Sequence, residues 1–522
     1  MNRVSSCASV KCTTTVSPIR TEEAGSEPNY SKKAVPIKTH GIILMKTTKI
    51  LFRGTLLCIL VSLAGCAGMS KDSKNQLLKL RAESDFKGAA QLYLTKDQKP
   101  KYDANNLQQT LEAAKAFHDA GLWKESNDAF ARAHNLMPWK EDTVDTPKEV
   151  VDLVATTMTS SSFGPYQGKI YEGGLIDYYR ALNHLMLKDD NARVSFNRLQ
   201  ERQKNSVVQL GSFARASANG TTAISQEAQK TGAGVGTDKI QSQLARGTSK
   251  VRQGVMLSEI RNASGDVMSA LFRSTSADPQ DHDESRIQPM LAAAGDSAAS
   301  PEGQTLITKL KQYLATNNSS LNNAVIVLYE DGNGPGFDEF RLDLPMYLVS
   351  DKVLYSGIAL PEFREGQSAG GRLLVGDAAT ATVMLTDMNR IAGLEFEKSY
   401  EGVVMKAVVS TLIKTAAQYA ANEAIDREVS KNKLDPLAGA LLQIGTAVTQ
   451  AATTQADTRA WRNLPNTIQI AIVERPVSGN LPLFTAAREP VGSAEVKEEG
   501  NYLVLVKAAS PQAKPVFYVA KL

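Results

Sequence analysis

Cys66 is the side chain whose neighbours most clearly prescribe a reaction. It closes the string Leu63-Ala64-Gly65-Cys66. Lys46, Lys49 and Arg53 precede the string, followed by the apolar run Leu56, Leu57, Cys58, Ile59, Leu60, Val61 and Leu63. A secretory signal has this layout: a positive start, an apolar middle and small residues at the cut. Ala64 and Gly65 are small enough to enter a peptidase cleft, so cleavage is expected between Gly65 and Cys66. The apolar run is shorter than the ~20 residues a spanning helix needs, which weighs against a retained transmembrane anchor, the alternative reading.

Other reactive constellations are missing. There is no Gly-x-Ser-x-Gly elbow and no His-Glu-x-x-His helix. Gly232-Ala233-Gly234-Val235-Gly236 lacks the Gly-Lys-Ser/Thr ending of a phosphate loop and reads as linker. Asp281-His282-Asp283-Glu284 has no second histidine at ligand spacing and reads as a solvated loop. Thr411 and Lys414 imitate a Ser-x-x-Lys spacing, but within an alanine-rich helix, and Glu362 with Glu365 is a common acid pair. His118, His134 and His184 fall on helical segments that account for them as packed or exposed positions. The expectation is a non-enzyme with no catalytic residue, no metal site and no cofactor.

Leu63-Ala64-Gly65-Cys66 resembles the lipobox of bacterial lipoproteins, which implies cleavage before Cys66 and acyl chains, palmitate among them, on that residue. One acyl chain anchors only marginally, whereas a second makes anchoring stable. Ala67, rather than Asp, follows the cysteine. By the same resemblance this implies the outer membrane, with the protein facing the periplasm. Of the cysteines Cys7, Cys12, Cys58 and Cys66, three lie before the cut, so no disulfide is expected after it. Residues 1–44 are polar and aperiodic, and read as an extension upstream of a true start at Met45, or as an unusually long leader. Residues 45–65 are the signal and 66–75 a tether. The chain carries 59 Lys+Arg against 55 Asp+Glu, but residues 1–65 hold nine basic and three acidic residues, so the remainder is nearly neutral. No basic stripe is left for nucleic acid.

Residues 76–205 show a helical period. Between 106 and 140, Ala114, Phe117, Gly121, Trp123, Phe130, Ala133 and Pro138 resemble a tetratricopeptide repeat (TPR), a helical hairpin of about 34 residues. Ala114 would let helices approach, Gly121 would permit the turn, and Trp123, Phe130 and Ala133 would pack the second helix on the first. Pro138 would end the unit. Ser126 departs from the usual alanine. Phe86, Ala89 and Tyr93 repeat part of the pattern, as do Ala192 and Phe196 in a hairpin over 175–200 that lacks a turn glycine. Such hairpins stack, because each alone leaves an apolar face open. An unrelated helical bundle is the alternative. Gly173-Gly174 reads as a loop before a helix, with Tyr171, Tyr178 and Tyr179 as core or, less simply, a groove.

Residues 206–322 read as a helical region with a flexible or loosely helical insertion over 212–247 and a helical pair over 287–317. From 323 to 522 a mixed α/β domain is expected. Residues 324–328 and 340–345 read as a strand-turn-strand hairpin with its loop over 331–336, and further strands would lie near 346–350, 353–360, 372–385, 467–473, 502–506 and 515–520, forming a small sheet or barrel. An alanine-rich helical stretch over 401–454 would separate them. Residues 436–456 carry no charge but too many Gln and Thr for a membrane span, and read as a buried helix. In 457–465, Trp461 and Leu464 would lock that helix onto the sheet while Arg459 pairs with a carboxylate. The fold class is α+β: TPR-like hairpins, then a smaller mixed domain with a sheet and long alanine-rich helices.

The stretch 325–345, the alanine helices, the tryptophan string and the terminal strands are similar to an uncharacterised family of bacterial TPR-like outer-membrane lipoproteins. The similarity spans most of the chain after Cys66 and is looser over 203–322. It implies no activity. It implies a setting near lipoproteins that regulate cell-wall synthases. The expectation is an outer-membrane-anchored, non-enzymatic scaffold with a periplasmic or envelope protein partner, acting in envelope assembly or peptidoglycan synthesis control. An enzyme or small-ligand binder in the C-terminal half would need a deep pocket with converging polar groups. A self-assembling component of a surface machine is the third reading.

Overall fold

Capping side chains set where the helices begin. The computed structural model describes residues 71–137, 165–230, 256–345 and 355–522. Asp85 accepts from the Gly88 amide at the start of α2 (Phe86–Gln91), which follows α1 (Lys71–Ala82). Asn106 accepts from Gln109 at α3 (Leu107–Asp119), and α4 spans Trp123–Leu136. α5 (Ile170–Leu187) and α6 (Asn191–Lys230) form the next pair. Asn262 caps α7 (Ala263–Thr275), Asp283 caps α8 (Glu284–Ser297) and Ser300 caps α9 (Pro301–Thr316). Each cap satisfies an amide that the helix itself leaves orphaned.

Several local expectations change. Gly173 and Gly174 lie inside α5, not in a loop before it. The helix starts earlier because the buried Glu395 carboxylate accepts from the Ile170 and Tyr171 amides. Between α5 and α6 no glycine is needed, since Lys188 itself adopts φ +54. Residues 212–230 continue α6, while 231–247, with the glycine-rich string, lie outside the described residues. Asp281 is not solvated: it is 1% exposed, accepts from Arg193 Nη2 at 2.6 Å and from Ser276 Oγ at 2.6 Å, and faces Arg273. The expected helical pair is present as α8 and α9.

The C-terminal half builds three sheets. β1 (Ala324–Asp331), β6 (Val383–Asp387), β7 (Thr467–Glu474), β10 (Tyr502–Ala508) and β11 (Val516–Lys521) form one of five strands, ordered β11-β10-β1-β7-β6. β1 runs parallel to β10 and antiparallel to β7. β2 (Gly336–Pro345) and β3 (Tyr355–Arg364) form a two-stranded ribbon. β4 (Leu373–Val375), β5 (Thr380–Ala381), β8 (Asn480–Thr485) and β9 (Pro490–Glu495) form a four-stranded sheet. β1 and β2 follow each other in the chain yet enter different sheets, so the loop between them is not a hairpin. The strand expected at 346–350 lies outside the described residues.

Strand side chains alternate between faces, and both faces of β1 and β10 are covered. Ile326, Leu328, Leu503 and Leu505 join the core of the helices. Val325, Val327, Val504 and Val506 pack with Leu373, Val375, Leu481 and Leu483 of the four-stranded sheet. The order is helices, five-stranded sheet, four-stranded sheet. The structure is α+β.

Two long helices, α10 (Met388–Ser430) and α11 (Pro436–Thr453), pack together as a hairpin beside the β2–β3 ribbon. Arg341 of the ribbon donates to the Ala451 and Thr454 carbonyls at the end of α11. α11 is not the buried helix that its lack of charge suggests: Leu437 is 70% exposed and Val448 62%. Its polar residues occupy the side facing α10, which leaves the apolar side outward. No described helix is long and apolar enough to cross a membrane.

Candidate functional site: a buried ionic cluster between helices and sheet

Lys115 and Asp119 stand four residues apart on α3 and therefore on one helix face. Glu330 and Lys507 are register partners on the parallel strands β1 and β10. Both lie on the face that carries Leu328 and Leu505, which points at α3. Arg81 arrives from the end of α1. The side chains of these residues are between 2 and 7% exposed.

Lys115 Nζ bonds both Asp119 Oδ1 and Glu330 Oε2, the latter at 2.9 Å. Lys507 Nζ donates to Asp119 Oδ1 at 3.0 Å and to the His118 carbonyl at 3.0 Å, and lies 3.9 Å from Glu330. Arg81 Nη1 donates to Asp119 Oδ2 at 2.7 Å. Tyr518 donates to the Asp119 carbonyl at 2.9 Å. Aromatic faces close the cluster: Lys115 Nζ is 4.8 Å from the Tyr179 ring centre and Lys507 Nζ 5.8 Å from that of Trp123.

Burial alone would raise the Asp119 carboxyl, but Lys115, Lys507 and Arg81 together hold it far below the usual carboxylate range. Burial pushes the Lys507 ammonium down to about 8, against the pull of Asp119 and Glu330. His118 is fully buried; burial, then Lys507 and Lys115, push its imidazole well below its ordinary value, so the ring is neutral. Its Nδ1 lies 2.6 Å from Asn183 Oδ1, an acceptor, because Asn183 Nδ2 donates to Ser126 Oγ at 2.8 Å. The proton therefore sits on Nδ1. Ser126 Oγ donates in turn to the Ala114 carbonyl at 2.8 Å. The serine standing where the repeat usually has alanine thus joins three helices.

This cluster can be weighed against three kinds of chemistry. His118, Asp119 and Glu330 offer ligand atoms within 4.8 Å of one another. Three cations already occupy the two carboxylates, however, so a divalent ion would enter a site with excess positive charge; the donor set does not fit a metal. A lysine with a lowered pKa can act as a nucleophile or base. Lys507 is enclosed, and the adjoining cavity, about 10 Å³, holds at most a single water. The cluster clamps the fold: its ion pairs join α1 and α3 to β1 and β10 of the sheet.

The tryptophan string extends the clamp. Trp461 is 1% exposed, with its ring 5.7 Å from Phe130 and 5.9 Å from Tyr179. Its Nε1 donates to Asn463 Oδ1, and Asn463 Nδ2 donates to the Glu112 carbonyl. Arg459 pairs with Asp457 at 2.8 Å, as expected. Trp461 was expected to fasten the preceding helix to the sheet; its ring partners are instead α4 and α5. The Trp461 amide donates to Glu172 Oε1 at 3.0 Å, which also accepts from the Tyr166 hydroxyl at 2.7 Å. Burial raises the Glu172 carboxyl to about 7.

Among the residues expected to pack a repeat, Ala114, Phe117, Phe130 and Ala133 are buried and Trp123 packs against the core. Gly121 takes φ +77, and a Cβ there would sit 2.7 Å from Tyr518 Cε1. Pro138, Gly65 and Cys66 lie outside the described residues. Tyr171, Tyr178 and Tyr179 are core. Sequence reading passed over Arg81, Lys115, Asp119, Glu330 and Lys507. A signal existed at Glu330 and Lys507, whose charges follow apolar residues on one face of their strands, whereas Lys115 and Asp119 lie on a helix of mixed polarity that gives none. No family model, curated protein or solved structure matches the chain.

Proposed function

We propose that the protein is an outer-membrane lipoprotein, anchored through acylated Cys66 and facing the periplasm. In this reading it serves as a non-enzymatic protein-interaction scaffold in envelope assembly or peptidoglycan synthesis control. The string Leu63-Ala64-Gly65-Cys66 behind its basic and apolar run carries the reading. Two features of the folded chain support the scaffold part. The buried group Arg81, Lys115, Asp119, Glu330 and Lys507 is engaged in mutual ion pairs and borders a cavity the size of one water. The α3–α4 pair has the turn glycine and small packing residues of a TPR-like unit. In a repeat array the partner takes the concave face. Here Trp461, Lys507 and Tyr518 lie against α3, α4 and the turn between them, so the partner would take another face.

Mass spectrometry of the protein extracted from its native membrane tests the anchor. The expected product begins at Cys66 and carries lipid on its sulfur; an unmodified sulfur with the leader attached overturns the reading. Crosslinking in intact envelopes tests the scaffold, which requires one envelope protein recovered above background.

A further inference from the structure

α11 is packed inside out. Gln443, Thr446 and Gln450 face α10, where Gln443 Nε2 donates to Asp426 Oδ1 at 2.6 Å and Thr446 Oγ1 to Asn422 Oδ1 at 2.9 Å. Gln450 Nε2 lies 3.4 Å from Thr415 Oγ1, and Asn422 is fully buried. The opposite side turns Leu437, Leu441, Ile444 and Val448 to solvent at 70, 61, 53 and 62% exposure. An amphipathic helix of a self-contained domain does the reverse. A contiguous apolar strip of this kind marks an interaction surface.

The spacing and the charges say what covers it. The four residues recur at steps of four, three and four, which is the a/d seam of a coiled coil and fits the knobs of another helix. α11 contains no Asp, Glu, Lys or Arg. A helix lying in a membrane surface carries Lys and Arg on its polar face, and this one has none. Burying the hairpin in lipid would also carry in Glu423, Asp426, Arg427 and Glu428 of the adjoining α10 and Lys431, Lys433 and Asp435 of the turn. A charged partner would find nothing on α11 to pair with. A second uncharged seam meets it without repulsion, leaves the α10 charges in water, and is available on every copy of this chain.

We infer that α11 pairs with α11 of a second copy through Leu437, Leu441, Ile444 and Val448, placing both α10 helices on the outside of the pair. The test uses the full chain in its native membrane with Ile444→Cys and a short bismaleimide crosslinker. The expected product has twice the mass of one chain. Adding Leu441→Lys and Val448→Lys reduces it by at least about tenfold, the effect of ~1.4 kcal/mol or more lost from the seam. The same chain without the added cysteine, and one with Val477→Cys, which is 99% exposed between β7 and β8, give no such product. Because the lysines stand at solvent-facing positions, the far-ultraviolet circular dichroism of the purified chain stays unchanged. Failure of Ile444→Cys to crosslink, or equal yield with the lysines in place, overturns the pairing. So does a Cys66→Ser chain that floats with lipid vesicles only while Ile444 is intact, which would assign the strip to a bilayer.

Discussion

Asp119 holds Arg81, Lys115 and Lys507 on two oxygens, and its removal leaves Glu330 as the one carboxylate of the cluster against three buried cations. A buried ion pair adds little over a well-packed apolar pair, yet breaking one by removing a single partner costs heavily. Asp119→Ala is therefore expected to destabilise the protein by ~3–5 kcal/mol in denaturant unfolding. Asp177 presents the opposite case. It is fully buried without a hydrogen bond to either oxygen, with Arg180 and Arg202 at 3.8 and 3.9 Å. Burial raises its carboxyl from 3.8 to about 6, against the pull of those arginines and Arg198. The folded chain thus keeps a proton that the unfolded chain releases, so this group's contribution falls as pH rises from about 4 to about 6. Asp177→Asn is expected to raise stability at pH 8, by roughly 1–3 kcal/mol for a shift of this size, and to leave it nearly unchanged near pH 4. Thermal unfolding at both values measures the difference; equal effects at both would contradict it. These ionic residues were hard to see in advance because a charge in a sequence reads as solvated until a partner from another element is known.

At the scale of elements, the hairpin turn was legible and its surroundings were not. Gly121 announces a turn, and the observed φ of +77 requires it. That Tyr518, the best part of the chain away, closes over the same turn follows only from β11 pairing beside β10. Gly121→Ala should cost at least ~1–2 kcal/mol from backbone strain alone, with more from displacing the Tyr518 ring, read as a lowered unfolding midpoint. Trp461 is the corresponding anchor of the 457–465 segment. Trp461→Ala removes a buried indole between Phe130 and Tyr179 and is expected to cost ~3–5 kcal/mol, with weakened near-ultraviolet circular dichroism from the aromatic cluster. The helix α11 departs from its expected burial for a related reason. Its composition is that of a core element, and composition does not say which side a neighbour will take.

At the scale of the whole molecule, one apolar core runs from Leu77 through the helices to Ile326, Leu328, Leu503 and Leu505 on the five-stranded sheet. Residues 71–322 therefore lack part of their own interior, including Trp461. A fragment of that length is expected to show no cooperative thermal transition; a sharp one would mean that the helices supply a sufficient core by themselves.

The sequence by itself determined the elements governed by near neighbours: the glycine turn after α3, the helical pair α8 and α9, and the apolar strands of the central sheet. These depend on backbone preference, side-chain period and adjacent chemistry, all within a few residues. Only the tertiary structure decided which buried charges meet, that consecutive strands part into different sheets, and that α11 turns its leucines outward. The first two depend on segments hundreds of residues apart and the third on which side of α11 the neighbouring α10 takes, and no local free energy distinguishes the arrangement adopted from its alternatives.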